Sequence, residues 1–222
     1  IDTAARDVPL LTLVRDGSGR ELNLIYGNPA ASDWDKINRI EDRLDPASPR
    51  ITTYEYHPGS YDLLRVRSNR VYNTTTEWIE NTFTYDNEHR MLTHTDPRGT
   101  VLHNVYDTTG RVIEQYEHNP RVDGADPNQR RLVYRLRYIP GAYAPAPGAA
   151  TCTVVENYRN AGDFYVTRDC FNADGLLVYR ADGAGSAIRF EYNNPYGLPS
   201  KKIDANGNET QYEYDTERRL IR

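Results

Sequence analysis

Between Tyr85 and Gln115 the chain reads YDNEHRMLTHTDPRGTVLHNVYDTTGRVIEQ. It holds a Tyr-Asp pair, a turn, a strand-like run and a second turn at Asp96-Pro97-Arg98-Gly99. Another strand-like run and a second Tyr-Asp pair follow, with Tyr106 placed 21 residues after Tyr85. A unit that returns at a set interval leaves few folds open, because each copy needs its neighbours to bury a face. Aligning the chain on the aromatic that closes each unit gives Tyr26, Tyr56, Tyr85, Tyr106, Tyr138, Phe171, Tyr192 and Tyr214. The spacings are 30, 29, 21, 32, 33, 21 and 22. The short ones give the basic unit. The long ones are that unit with roughly ten residues added, as repeats accept at turns. The additions fall near 27–50, 57–80, 117–130 and 140–162.

A second position supports this register. Asp16, Asp96, Asp182 and Asp204 each stand ten residues before an anchor, and Asp45 eleven before. Four of these begin D-x-x-G, ending at Gly19, Gly99, Gly185 and Gly207. Anchors are also followed by turn starts: Asp86, Asp107 with Gly110, Asn172 with Gly175, and Asp215. Asp or Asn opening a turn accepts backbone N–H bonds, and glycine at the fourth position takes a left-handed conformation without a Cβ clash. His89 and Arg218 stand where that glycine is expected, and the turn Asn194-Pro195-Tyr196-Gly197 is one residue longer. The runs between turns, such as TVLHNVY, SAIRFEY and NETQYEY, are rich in strand-favouring residues. They predict antiparallel strands of about 20 Å with alternating faces.

The expected fold is therefore all-β: a meander of short antiparallel strands in a single repeat domain over residues 1–222. Composition agrees. Hydrophobic residues make up 38%, mean hydropathy is −0.79, and Tyr outnumbers Phe 18 to 4. Tyrosine suits a sheet face that is half wet. Ser32 to Leu44 carries both a helical spacing (Trp34, Ile37, Ile40, Leu44) and a loop-plus-strand reading, and the two are left open. Arg121 to Gln129 and Pro140 to Ala150 read as insertion loops. The start at Ile1 suggests a fragment or processed product, with no signal peptide evident.

Little chemistry is legible. A formal charge of −5 argues against a nucleic-acid partner. No apolar run reaches the roughly 18 residues of a membrane helix. Cys152 and Cys170 are too few for a metal set. Unpaired or buried thiols are the favoured reading, with a disulfide, implying an oxidising compartment, as the alternative. His94 and His103 flank one hairpin turn and could approach each other, yet form no metal signature. Asp204 to Asn208 (DANGN) lacks the further acidic ligands of a calcium loop. No nucleophile, phosphate-loop or dinucleotide fingerprint is present. The expectation is a protein that is not an enzyme and needs no metal or cofactor.

The segments YDTTGRVIEQ and FNADGLLVYRADGAGSAIRFEYNNPYGLPSKKIDANGNETQYEYD carry a resemblance. They resemble the tyrosine-aspartate (YD) repeats of rearrangement-hotspot (RHS) proteins, found also in the B and C subunits of insecticidal toxin complexes and in teneurins. The likeness is strongest over 83–115 and 169–222 and diluted over 14–64. It implies a ribbon of antiparallel strands curling as an open segment of a β-shell, whose partners are neighbouring repeats and an enclosed toxic domain. It also implies a secreted or cell-surface location. Toxin members self-cleave at a D-P-x-G-like sequence ending the core. Asp96-Pro97-Arg98-Gly99 has those letters but sits in a mid-chain turn, so cleavage is not expected there. The alternative role is recognition of a glycan or cell-surface protein, for which Trp34, Trp78 and Tyr143 are the candidate contacts.

Overall fold

The computed structural model describes residues 9–27, 35–43, 49–72, 75–124, 126 and 129–222. The strands are β1 Leu13–Arg15, β2 Glu21–Tyr26, β3 Ile37–Asp42, β4 Arg50–Tyr56, β5 Leu63–Tyr72, β6 Thr75–Tyr85, β7 Met91–Thr95 and β8 Val101–Tyr106. They continue as β9 Val112–His118, β10 Arg131–Pro140, β11 Thr151–Asn160, β12 Asp163–Phe171, β13 Leu177–Ala181, β14 Ala187–Glu191, β15 Lys201–Ile203 and β16 Glu209–Gln211. All sixteen lie in one open antiparallel sheet, in sequence order, and no helix occurs among the described residues. The all-β meander expected from the turn spacing is thus the fold found. Ile37 to Asp42 is strand, so the helical alternative fails over this part of the stretch; Ser32, Trp34, Leu44 and Asp45 lie outside the described residues.

The repeat sets the local geometry. Each D-x-x-G turn closes with the fourth residue's N–H donating to the first residue's carbonyl, as Gly99 to Asp96 at 2.9 Å and Gly207 to Asp204 at 3.0 Å. The fourth residue takes positive φ: +86° at Gly99 and +84° at Gly207. His89 and Arg218 hold the same conformation, at +62° and +65°. A turn followed by one left-handed residue shifts the pairing by one position, a bulge. The register accordingly slips between Thr84 and Tyr85, and between Cys170 and Phe171, where an anchor ends its strand.

The additions have two fates. That near 57–80 lengthens strands, giving the ten- and eleven-residue hairpin β5–β6. That near 140–162 gives the long strands β10 and β11 with a packed loop between them, in which Ala146 and Ala149 are buried.

By their contacts the strands group into two compact units: residues 1–103 with 119–125, and residues 104–118 with 126–222. The second has a small apolar core of Ala146, Ala149, Cys152, Cys170, Val178 and Tyr179, against which Tyr143 and Tyr192 pack. Cys152 and Cys170 face each other across β11 and β12 and form a disulfide. The favoured reading of unpaired thiols is therefore corrected. The pairing depended on a hairpin register that spacing alone did not fix.

The first unit has no buried hydrophobic side chain among its described residues. What it buries instead is Glu41, 5% exposed, bridged by Arg39 and Arg43. Arg43 is the main reason the Glu41 carboxyl sits below its usual range. Charged pairs recur across neighbouring strands, as Arg67 with Glu80 at 3.2 Å and, in the second unit, Arg180 with Asp169 at 2.7 Å. Each pair is worth little singly, but together they satisfy a sheet face that lacks apolar filling.

Candidate functional site

The aspartates of the repeat are engaged. One oxygen of each turn-opening Asp accepts the N–H groups two and four residues on. At Asp96 these come from Arg98 and Thr100 at 2.9 and 2.8 Å, and at Asp182 from Ala184 and Ser186 at 2.9 Å each. Asp86, Asp107, Asp204 and Asp215 repeat the pattern, and Asn172 and Asn194 supply the same acceptor. At Asp86, Asp107 and Asp215 the fifth residue is an Arg whose Nε donates to the second oxygen, as Arg111 on Asp107 at 2.9 Å, whereas Arg20 of the Asp16 turn reaches Asp42 instead. Backbone N–H groups of Arg90, Arg111 and Arg219 hold Asp86, Asp107 and Asp215 below the usual carboxylate range. The side chains of Ser18 and Asn208 do the same at Asp16 and Asp204. These carboxyls build turns, and Asp96 in its D-P-x-G setting is bonded like the others.

The anchors have a role that sequence reasoning missed. The Tyr192 hydroxyl donates to the Leu177 carbonyl at 2.7 Å, and that of Tyr214 to the Pro199 carbonyl at 3.1 Å. Tyr26, Tyr56 and Tyr138 reach Leu11, Ile37 and Val112 in the same way. In each case the acceptor is the first residue of the preceding strand or stands two residues ahead of it. The signal was present in the sequence as Tyr rather than Phe at seven of the eight anchors. Tyr85 and Tyr106 lie at the ends of β6 and β8.

Two clefts formed by described residues are places where the protein could do chemistry. In the first unit, a cleft of about 440 Å³ is lined by His57, Ser60, Asp62, Phe83, Tyr85 and His89, among others. His89 Nδ1 lies 3.0 Å from Asp62 Oδ2, and Ser60 Oγ donates to the same oxygen at 2.8 Å. Their hydrogen bond raises His89 above its usual pKa and lowers Asp62. Tyr61 and His89 both hold positive φ, +62° each. The order is wrong for nucleophilic catalysis, since the aspartate lies between serine and imidazole, and Ser60 donates to Asp62 where an activated nucleophile would face its base.

In the second unit, a cleft of about 590 Å³ is lined by Tyr134, Asn157, Tyr158, Arg159, Tyr165, Asp182 and Gly183, with Val133 and Ala184. Tyr134 faces Asn157 across β10 and β11, and Asn157 faces Tyr165 across β11 and β12. The three side chains therefore form one row on one sheet face. Tyr134 and Tyr165 are 37% and 40% exposed.

The expected recognition aromatics are placed differently. Trp78 is exposed on β6, with the Arg67 guanidinium 5.1 Å over its ring. Tyr143 packs edge-on to Tyr179, and Arg168 lies 4.2 Å over its face, so its ring is engaged in packing. Trp34 lies outside the described residues. His94 and His103 do not meet. His103 pairs with Thr93, which sets the two imidazoles on opposite sheet faces, and His94 stacks on Phe83 with ring centres 4.9 Å apart. Among the described residues, no group of three or more His, Cys, Asp or Glu side chains could hold a metal.

No protein-family model matches the chain. Among solved structures it is similar to a chain of the Photorhabdus luminescens Tc holotoxin pore carrying a mutated TccC3. The identity is 13% and the TM-score 0.27, over 94% of this chain and 16% of that one. It is similar also to TcdB2-TccC3, at 14% identity and TM-score 0.25, over 92% of this chain and 16% of that one. The same identity, score and 16% share hold for TcdB2-TccC3-Cdc42, over 94% of this chain. The chain thus spans 16% of the length of each of these proteins. The fold stands on the strand ladder and its turns.

Proposed function

We propose that this chain is a non-catalytic scaffold, a segment of a repeat shell that closes around a toxic domain of its parent polypeptide in a secreted toxin. One observation carries the reading: a continuous sixteen-strand ladder whose first unit buries no described hydrophobic side chain. A sheet of this kind gains its covering from further sheet or from what it encloses. The YD-type punctuation supports the same reading, because the aspartates of the repeat are spent on turn hydrogen bonds. The reading is tested by limited proteolysis of the full-length polypeptide. A domain beyond the repeats should stay intact under native conditions and become cleavable once the sheet is denatured. Free cleavage of that domain in the native protein overturns the proposal.

A further inference from the structure

We propose that the second-unit cleft is a binding site for a neutral oligosaccharide, with Tyr134 and Tyr165 as stacking platforms. The two rings flank Asn157 in one cross-strand row, so their backbones stand two interstrand spacings apart, about 9–10 Å. Aromatic faces take the apolar C–H side of a pyranose, and planar polar groups beside them take its hydroxyls. Asn157 supplies an amide, and the exposed Arg159 lines the same cleft with its guanidinium 5.5 Å over the Tyr165 ring, the cation a stacking ligand would displace. Arg159 and Asp182 carry opposite charges on the cleft wall, which favours an uncharged ligand over a phosphate or a sulfated chain. At about 590 Å³ the cleft is in the range of small-ligand sites.

The second-unit turn fixes one platform. A Cβ at Gly183 would lie 2.6 Å from Tyr165 Cδ2 and 2.7 Å from its Cβ. Only glycine lets the Asp182 turn rest against this ring, and Gly183 has no positive φ that would require glycine for backbone reasons. The close approach holds Tyr165 in a set position despite its exposure, which reduces the ordering cost of stacking a ligand on it. Tyr158 also lines the cleft, but its hydroxyl donates to Glu156 at 2.7 Å and its ring packs 5.0 Å from that of Phe164, so it supports the hairpin and leaves the stacking to the other two rings.

The test uses an array of immobilised neutral oligosaccharides built on glucose, galactose, mannose and N-acetylglucosamine, followed by calorimetry with the strongest hit. The intact chain should bind at least one structure. Tyr134→Ala and Tyr165→Ala should each weaken that hit roughly tenfold or more, the scale of truncating an anchoring aromatic. Gly183→Ala should weaken it while every ligand-facing side chain is retained, and Trp78→Ala should leave it unchanged. Should a variant fail to fold, nitration of the unmodified chain decides: the hit should protect Tyr134 and Tyr165 from tetranitromethane. Silence across the array, affinity unchanged in both tyrosine variants, or nitration of both rings at saturation overturns the proposal.

Discussion

The hydroxyl of Tyr192 donates to the carbonyl of Leu177, closing a 2.7 Å bond between the end of one repeat and the start of the strand before it. Burial pushes the Tyr192 phenol above its usual pKa, so the bond is made in a partly dry setting. Tyr192→Phe keeps the ring and removes only this donor. The expected cost is about 1 kcal/mol, read as a lower denaturation midpoint with an unchanged denaturant slope.

The turn carboxylates make stability depend on acid. Asp16, Asp86, Asp107, Asp204 and Asp215 have folded pKa values below their unfolded ones. Their contribution is complete above the unfolded value of about 3.9 and is lost as pH falls through the folded values. Thermal melts should be flat in the mildly acidic range and drop steeply below about pH 4. Asp107→Asn should flatten part of that drop, since Asn172 already performs the same job without a charge.

At Asp62 and His89 the sign for the imidazole is opposite. His89 is raised by its bond to Asp62, so its share of stability is present below the unfolded value of about 6.5 and lost as pH rises through the folded one. Proton NMR should show His89 titrating above the ordinary histidine range. Asp62→Asn should bring it back down.

Gly207 isolates the backbone term. It holds a φ of +84°, and nothing lies within 4 Å of a built Cβ. Gly207→Ala should cost about 1–2 kcal/mol from the left-handed conformation alone, measurable by chemical denaturation.

The disulfide is the strongest single tie. Cys152 and Cys170 are 18 residues apart. Replacing both with Ser should cost about 3 kcal/mol, and unmodified protein should resist thiol alkylation until it is reduced.

Much of the fold was legible because the turns are built locally. Asp96 and Gly99 do their work within five residues, so their letters suffice. At His89 and Arg218 the missing glycine left the turn type open in the sequence, and the structure keeps the same left-handed conformation there. Features that depend on register were not. The Cys152–Cys170 pairing and the separation of His94 from His103 follow from which residues oppose each other, and the bulges at the anchors shift that count. The cleft was hidden for the same reason. Tyr134, Asn157 and Tyr165 are unremarkable in sequence and become a row only once three long strands are aligned. Tyr143 was singled out for its loop, yet that loop packs inward.

The strict sequence order of the strands has a consequence for folding and for descent. Each strand pairs only with those made just before and just after it, so pairing can proceed hairpin by hairpin with short loop closures and a low contact order. The same arrangement lets a unit be gained, lost or duplicated by recombination with only its two flanking pairings to restore. The length of such a protein is then a variable that selection can set one hairpin at a time.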